Sequence, residues 1–387
     1  MSYCSKLRLE NRLLVSLTLL GMVPLLITLV VSLTGVSSSL EEGTKSGLEE
    51  LRAVKKAVVE EYFEDIRKQV VTQAESTMTV EALSQFRVAF PEYGTQAGLS
   101  ESETSTLKAE VALYYRNEFL SEYERQCDSK VPVEYQYSNL PRETLVLQKA
   151  YISSNPHPLG SKESLDRASD DTSYNLVHER FHPIFRSFLQ NFGYYDIFLV
   201  DAETGNIVYS VFKELDFGTS LKNGPYSGSH FGEAFKEALK VGKGEVVLKD
   251  FANYRPSYDA PASFIASPIY KDDAVLGVLI FQMPIGRLDQ MIAKGVDPDS
   301  TTDIYFLGED GRFRSDSLIS PEHNVVDSFR SRDIGLVRTE GSEAGLAGET
   351  GVQVGLNYLG DKVVSAYSPV ELPGGLRWTL LWETGLS

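Results

Sequence analysis

Cysteine is nearly missing from this chain: among 387 residues only Cys4 and Cys127 occur. The longest apolar run of the sequence separates them, which excludes an internal disulfide and any cysteine zinc motif. Basic residues are also scarce, 37 Lys and Arg against 54 Asp and Glu, for a net charge of −17. Such a surface repels phosphate backbones, and no Lys/Arg cluster is interleaved with aromatics. Nucleic acid is therefore not an expected partner. No Walker-type phosphate loop, G-x-S-x-G elbow, kinase signature or cyclase signature is present. The glycines of 341–355 lack the Lys-Ser/Thr ending of a phosphate loop and read as a loop between strands. Asp297, Asp299 and Ser300 lack the spacing of a calcium loop. These absences point away from an enzyme, and no cofactor and no metal site are expected.

What is present has the composition of a folded protein, 42% hydrophobic and 24% charged, which excludes a disordered or collagen-like chain. The length calls for two or three domains. Residues 13–35 carry no charge, and about 20 apolar residues suffice to cross a bilayer. Lys6, Arg8 and Arg12 precede the run, and Glu41 and Glu42 follow it. The positive-inside rule then puts 1–12 in the cytoplasm and everything from about residue 36 outside. A cleaved signal peptide would have a shorter apolar core and a small-x-small site. Val36-Ser37-Ser38 is a poor match to one, so 13–35 reads as a transmembrane anchor. Pro24 inside it is tolerated in a membrane helix.

Beyond the anchor, Leu48, Leu51, Val54, Val58, Tyr62, Ile66 and Val70 recur at three- and four-residue steps. They predict a long extracytoplasmic helix over 36–90. Residues 91–192 read as helical and loop-rich, punctuated by Pro91, Pro132, Pro141, Pro156 and Pro158. Strand patterns follow at 195–201, 207–212, 245–251, 263–270 and 275–283, with a short helix near 232–240. The fold class is α+β with an antiparallel sheet. The order then recurs: Asp196-Ile197-Phe198 and Ser210 are echoed by Asp303-Ile304-Tyr305 and Ser315, and Ser267-Pro268-Ile269 by Ser368-Pro369-Val370. Two sheet modules in tandem are expected, one over 91–284 and one over 301–387, joined by a connector over 285–300.

One enzyme motif appears. His178-Glu179-Arg180-Phe181-His182 matches H-E-x-x-H, in which two His bind zinc and the Glu activates water. Pro183 follows directly, and a proline there is expected to disrupt the helix and take the two imidazoles off a common face. A membrane-bound zinc metallopeptidase using His178 and His182 stands on that motif alone. The other candidate site is a small-molecule pocket in the first module, built from Tyr209, Lys213, Tyr254, Arg255, Tyr258, Asp259, Phe264 and Gln282. Aromatic walls with a few converging polar groups are how proteins hold small ligands.

The layout of membrane span, long outward helix and two PAS-like sheet modules resembles the double Cache sensor region of bacterial receptors. The resemblance is carried by Tyr194-Tyr195-Asp196-Ile197-Phe198, by Val208-Tyr209-Ser210-Val211-Phe212-Lys213-Glu214, and by Pro256-Ser257-Tyr258-Asp259 with Gly277-Val278-Leu279. It implies a ligand site in the membrane-distal first module and a homodimer along the long helices. It also implies a second membrane span leading to a cytoplasmic output domain, so a receptor fragment embedded in the inner membrane is expected. A methyl-accepting chemotaxis receptor is the leading output class, with a histidine kinase or nucleotide cyclase as alternatives. Amino-acid-sensing members place an Asp near the end of the distal module's last strand, where this chain has Gln282, and both its tryptophans lie in the other module. The resemblance with that departure implies a carboxylate or uncharged metabolite as ligand.

Overall fold

A computed structural model of the protein describes residues 9–127, 130–331 and 335–386, with side chains continuous from residue 45 within these ranges. The first helix, α1 (Leu9–Glu75), spans 67 residues. The apolar run 13–35 falls within its backbone, but apart from Met22 and Thr28 the side chains of that run lie outside the described residues, as do residues 1–8. No helix of the described residues is long and apolar enough to cross a membrane. Val59, Phe63, Ile66, Val70 and Ala74 form the buried stripe of α1, at steps of three and four. Leu51, Val54 and Val58, expected on the same stripe, face solvent instead.

The single helix expected over 36–90 is divided. Ser76 is extended and its Oγ accepts from the Thr79 backbone N–H at 3.2 Å, capping a new helix, α2 (Thr77–Gln96). The helical half continues through α3 (Glu101–Tyr114), α4 (Leu120–Cys127), α5 (Glu134–Tyr137), α6 (Arg142–Gln148) and α7 (Ser173–Phe192). A single π-helical turn, Tyr115–Phe119, joins α3 to α4.

The first sheet has strands β1 (Asp196–Asp201) and β2 (Ile207–Ser210), then, after α8 (His230–Ala238), β3 (Val247–Tyr254), β4 (Ala260–Lys271) and β5 (Ala274–Gln282). After α9 (Arg287–Ala293) come β6 (Thr302–Leu307), α10 (Val325–Arg330), α11 (Glu340–Leu346), β7 (Gly351–Leu356), β8 (Lys362–Glu371) and β9 (Arg377–Gly385). The glycine-rich stretch read as a loop is thus a helix and a strand. The sheet orders are β2-β1-β5-β4-β3 and β6-β9-β8-β7, with every pairing antiparallel.

The two orders superpose if β6, β9, β8 and β7 stand for β1, β5, β4 and β3. The place of β2 is taken by a single bridge from Leu307 to Phe313. Register matches too: Asp196 lies opposite Gln282, and Asp303 opposite Glu383. Both aspartates are buried and tie down the chain after the following turn. Asp196 accepts from the Val211 and Phe212 N–H groups at 2.9 Å, and Asp303 from the Leu318 N–H at 2.8 Å. Gly277 of β5 permits the close pairing with β1, since a Cβ there would strike the Val200 carbonyl and the Leu83 side chain.

Helix α1 is laid along the second sheet by a matched pair of spacings. Arg52, Lys56 and the carboxylate of Glu60 bond the Tyr367 carbonyl at 3.1 Å, the Pro369 carbonyl at 2.7 Å and the Glu371 N–H at 3.1 Å. Four residues of helix rise about 6 Å and two residues of strand about 6.6 Å, so each turn of α1 meets the next pair of β8. Further up, Tyr194 donates to Gln69 at 2.8 Å. The same helix therefore touches both modules.

Candidate functional site

Between the first sheet and the helical half lies a cavity of about 360 Å³. Tyr114 and Phe119, from α3 and the π-turn, cover one side, and Leu159, Gly160 and Lys162 of the loop before α7 close another. Tyr195 at the start of β1, Phe212 to Leu215 after β2, Pro256 to Tyr258 after β3, and Gln282 at the end of β5 form the sheet side. The aromatic share of this lining and the few polar groups set into it fit a small-molecule site.

The polar groups are linked. Glu214 Oε1 accepts from the Tyr195 hydroxyl at 2.9 Å, and its Oε2 from Ser257 Oγ at 2.9 Å. Gln282 Nε2 donates to the same Ser257 Oγ at 3.3 Å. Among the described residues its Oε1 is buried with no hydrogen-bond partner. A buried acceptor left unpaired costs about 1–3 kcal/mol, so this amide is primed for a donor that the protein itself does not supply.

Burial shifts the titration of the wall. Glu214 is pushed up to about 8, by desolvation first and by Asp216 second. Asp196 rises to about 7 and Asp216 to about 6, again mainly by desolvation. Lys213 is lowered to about 7 by desolvation, against the pull of Asp196 and Glu163. A burial-driven shift favours the neutral form in every case.

The turn that carries Ser257 is wound against preference. Tyr258 and Asp259 both have positive φ, 56° and 54°, a conformation costing about 1–3 kcal/mol for such residues. The helical half holds it there. Tyr123 donates to the Asp259 carboxylate at 2.6 Å, Cys127 Sγ to the Tyr258 carbonyl at 3.0 Å, and Phe119 stacks on Tyr258 at 5.1 Å.

Of the residues expected at the site, Lys213, Tyr258 and Gln282 line the cavity. Arg255 and Asp259 stand behind the turn, paired at 3.3 Å with Arg255 over the Tyr123 ring. Tyr209, Tyr254 and Phe264 are packed into the core. The Tyr209 hydroxyl meets His182 Nδ1 at 2.7 Å, Tyr254 donates to Asp216 at 2.6 Å, and Phe264 stacks on Phe231. Sequence reasoning missed Glu214, Tyr195, Ser257, Tyr114, Phe119 and Lys162. Glu214 follows Lys213 directly, in one of the stretches that carries the family resemblance, and was within reach.

The H-E-x-x-H motif differs from its expectation in one respect. Helix α7 runs through Pro183, so His178 and His182 do share a face, stacked with ring centroids 4.4 Å apart. Packing of Phe181, Phe185 and Leu189, all buried, holds the helix where the proline removes a bond. Three of the four ring nitrogens are nonetheless engaged, His178 Nε2 alone being buried without a partner among the described residues. His178 Nδ1 meets the Asp166 carbonyl at 2.6 Å, and His182 Nε2 the Glu163 carbonyl at 2.6 Å. Desolvation, then Lys213, lowers both well below the usual histidine range. Glu179 is bound outward to Arg167 at 3.1 Å. Among the described residues no three His, Cys, Asp or Glu side chains are grouped to hold a metal.

No protein-family model matches the chain, and no curated protein matches it. Solved structures do. The ligand-binding domain of the Pseudomonas aeruginosa PAO1 amino acid chemoreceptor PctC, in complex with GABA, is 15% identical, covering 57% of this chain and 84% of that one at a TM-score of 0.36. Methyl-accepting chemotaxis protein X is 14% identical, covering 53% and 80% at a TM-score of 0.37. The ligand-binding domain of the Pseudomonas fluorescens chemoreceptor CtaA, in complex with L-serine, is 13% identical, covering 51% and 75% at a TM-score of 0.33. At this distance the likeness says nothing of this chain's own ligand.

Proposed function

We propose that this chain is the extracytoplasmic sensing region of a bacterial transmembrane receptor of the chemotaxis type, which binds a small molecule in its first module. The observation that carries the reading is the cavity itself. Aromatic walls enclose about 360 Å³, and a buried glutamine oxygen in it has no partner. The raised Glu214 is held by two hydroxyls, those of Tyr195 and Ser257, an arrangement that suits recognition of a small molecule. The site binds rather than reacts.

The route outward supports a receptor. Helix α1 contacts both modules and continues toward the apolar run 13–35, the expected span of the inner membrane. A ligand that reshapes the turn 256–259 acts on a segment already strained and held by the helical half, as a bistable element must be. Two copies paired along α1 would expose the same stripe, Leu51, Val54 and Val58, to each other. The test is a thermal-shift screen of the purified chain against a library of metabolites. A ligand present at a hundredfold excess over its dissociation constant stabilises the fold by about 2.7 kcal/mol. Shifts that vanish when Tyr258 and Gln282 are replaced support the reading. A library without a single hit, or hits indifferent to those replacements, overturns it.

A further inference from the structure

Lys213 and Glu214 are neighbours in sequence, both line the cavity, and among the described residues neither takes part in an ion pair. Lys213 Nζ donates to the Val211 carbonyl at 2.9 Å and lies 3.1 Å from His182 Nε2. Asp196, Glu163 and Asp166 favour its charged form from a distance, but among the described residues none closes an ion pair with it. On α7, His178 and His182 are neutral, and Arg186 is engaged by Asp166 at 2.6 Å. Before α7, the Glu163 carboxylate attracts the amine without forming an ion pair among the described residues, and its Oε2 is buried without a hydrogen bond. On β1, Asp196 is taken up by Ser210 Oγ at 2.7 Å and by backbone N–H groups. On β2, Tyr209 turns to His182. Beside the amine, Glu214 already accepts two hydroxyls. Across the cavity, Lys162 adds positive charge.

An ammonium buried without a counter-ion is disfavoured, and the titration of Lys213 near 7 expresses that. An anion entering the cavity would supply the missing charge. One amine between aromatic walls suits a single negative charge on a small organic group better than a dianion such as phosphate. We propose that Lys213 is the anion anchor of the cavity: a ligand carboxylate docks against its amine, which takes up one proton from solvent as the complex forms. The step makes no covalent bond; carboxylate, neutral amine and proton become a carboxylate–ammonium pair. This inference rests on the reading of the cavity as a ligand site.

The test uses three probes of nearly equal size, acetate, acetamide and ethylammonium, on the full chain at matched ionic strength. Acetate alone is expected to raise the melting temperature at pH 6.5. Its apparent affinity should fall roughly fiftyfold between pH 7 and 9, as the protonated, binding-competent fraction shrinks. Calorimetry in phosphate and in Tris should show uptake approaching one proton per acetate at pH 8. Lys213→Met should lose the acetate effect. Lys213→Arg, with its permanent charge, should keep it at pH 9 without proton uptake, and this variant decides the matter if the methionine variant fails to fold. Acetate stabilisation undiminished in both Lys213→Met and wild type at pH 9, or proton release on binding, overturns the proposal. So does stabilisation by acetamide or ethylammonium in place of acetate, an outcome that leaves the cavity standing as a ligand site. If none of the three probes and no metabolite binds, both readings fall.

Discussion

Arg314 of the second module grips Asp250 of the first through two parallel hydrogen bonds, Nε to Oδ1 and Nη2 to Oδ2, each 2.8 Å long. The Trp378 indole N–H adds a third bond to the same carboxylate at 3.1 Å. Trp378 in turn meets Phe63 of α1 edge-on at 5.2 Å and lies over Phe251 at 6.1 Å. Two separate parts of the second module thus converge on one aspartate, with α1 packed behind the indole. Asp250 sits on β3, whose end leads into the turn that forms a wall of the cavity. The cavity and the joint between the modules share a strand.

The energetic consequence is direct. Arg314 is buried at 3% side-chain exposure, against 42% for its other partner, Asp310. Asp250→Ala would leave the buried guanidinium with only the part-exposed Asp310 and a backbone carbonyl, a loss of about 3–5 kcal/mol, whereas replacing both partners by apolar residues should cost less, chiefly the orphaned Trp378 N–H at about 1–3 kcal/mol. Urea denaturation of Asp250→Ala and of the Asp250→Leu/Arg314→Leu pair measures the two. A single variant within 1 kcal/mol of wild type would show that the joint carries no buried charge pair. Gly308→Ala should be as harmful as Asp250→Ala, because its Cβ would occupy the guanidinium's place.

The pH dependence of stability follows from the raised carboxyls. Glu214 (about 8), Asp196 (about 7), Glu383 (about 7) and Asp216 (about 6) all titrate above their ordinary values. A group raised on folding contributes fully below its unfolded value and loses that contribution as pH climbs through the folded one. Stability should therefore decline from pH 5 to pH 6.5. The buried imidazoles of His178 and His182, lowered well below their usual range, act with the opposite sign inside this window but are outnumbered by the four carboxyls, and Lys213, lowered to about 7, opposes the decline only above it. Glu214→Gln, which mimics the protonated acid, should flatten the decline by up to one proton's slope. Stability that rises over the same interval, by denaturant melts at fixed pH, would contradict the assignment.

Much of this was legible before any coordinates. The strands of the first module alternate or run apolar between clear turns, and the echo of Asp196 in Asp303 reflects a shared register in which both aspartates secure the chain after the next turn. Lys213, Tyr258 and Gln282 line the cavity because they lie at or just beyond strand ends. Tyr209, Tyr254 and Phe264 were placed at the site wrongly, since an aromatic on a sheet face has the same pattern whether it meets a ligand or the core. Tyr114 and Phe119 were invisible for another reason: they approach from helices far back in the sequence, and no local period reports a long-range contact. The helix break at Ser76 left a trace, a serine three residues before Thr79, too weak to read against strong helical patterning on both sides.

The histidine pair gives a prediction about metal. Both rings are buried, His182 held through both nitrogens and His178 through Nδ1 alone, and Glu179 is paired with Arg167. The wild-type chain dialysed against zinc should hold no more metal than the His178→Ala/His182→Ala variant, by elemental analysis. One equivalent of zinc lost in that variant would restore the peptidase reading.

Gln282 separates binding from packing most sharply. Its side chain is buried, its Oε1 is unpaired, and its one donor bond is long at 3.3 Å. Gln282→Leu, of similar volume, removes the orphaned acceptor, and the replacement should leave the ligand-free fold as stable as wild type or more so. If the amide exists to meet a ligand, every hit of the metabolite screen should lose most of its thermal shift in this variant. Tyr254→Ala is the contrast: that ring is core and gives Asp216 its hydrogen bond, so truncation should cost about 3–5 kcal/mol with no ligand present. A stabilised or unchanged variant that no longer responds is the signature of a side chain kept for recognition at the expense of stability. Should Gln282→Leu instead unfold like Tyr254→Ala, the amide is structural, and the ligand would have to be held by Glu214, Ser257 and Lys213 without it.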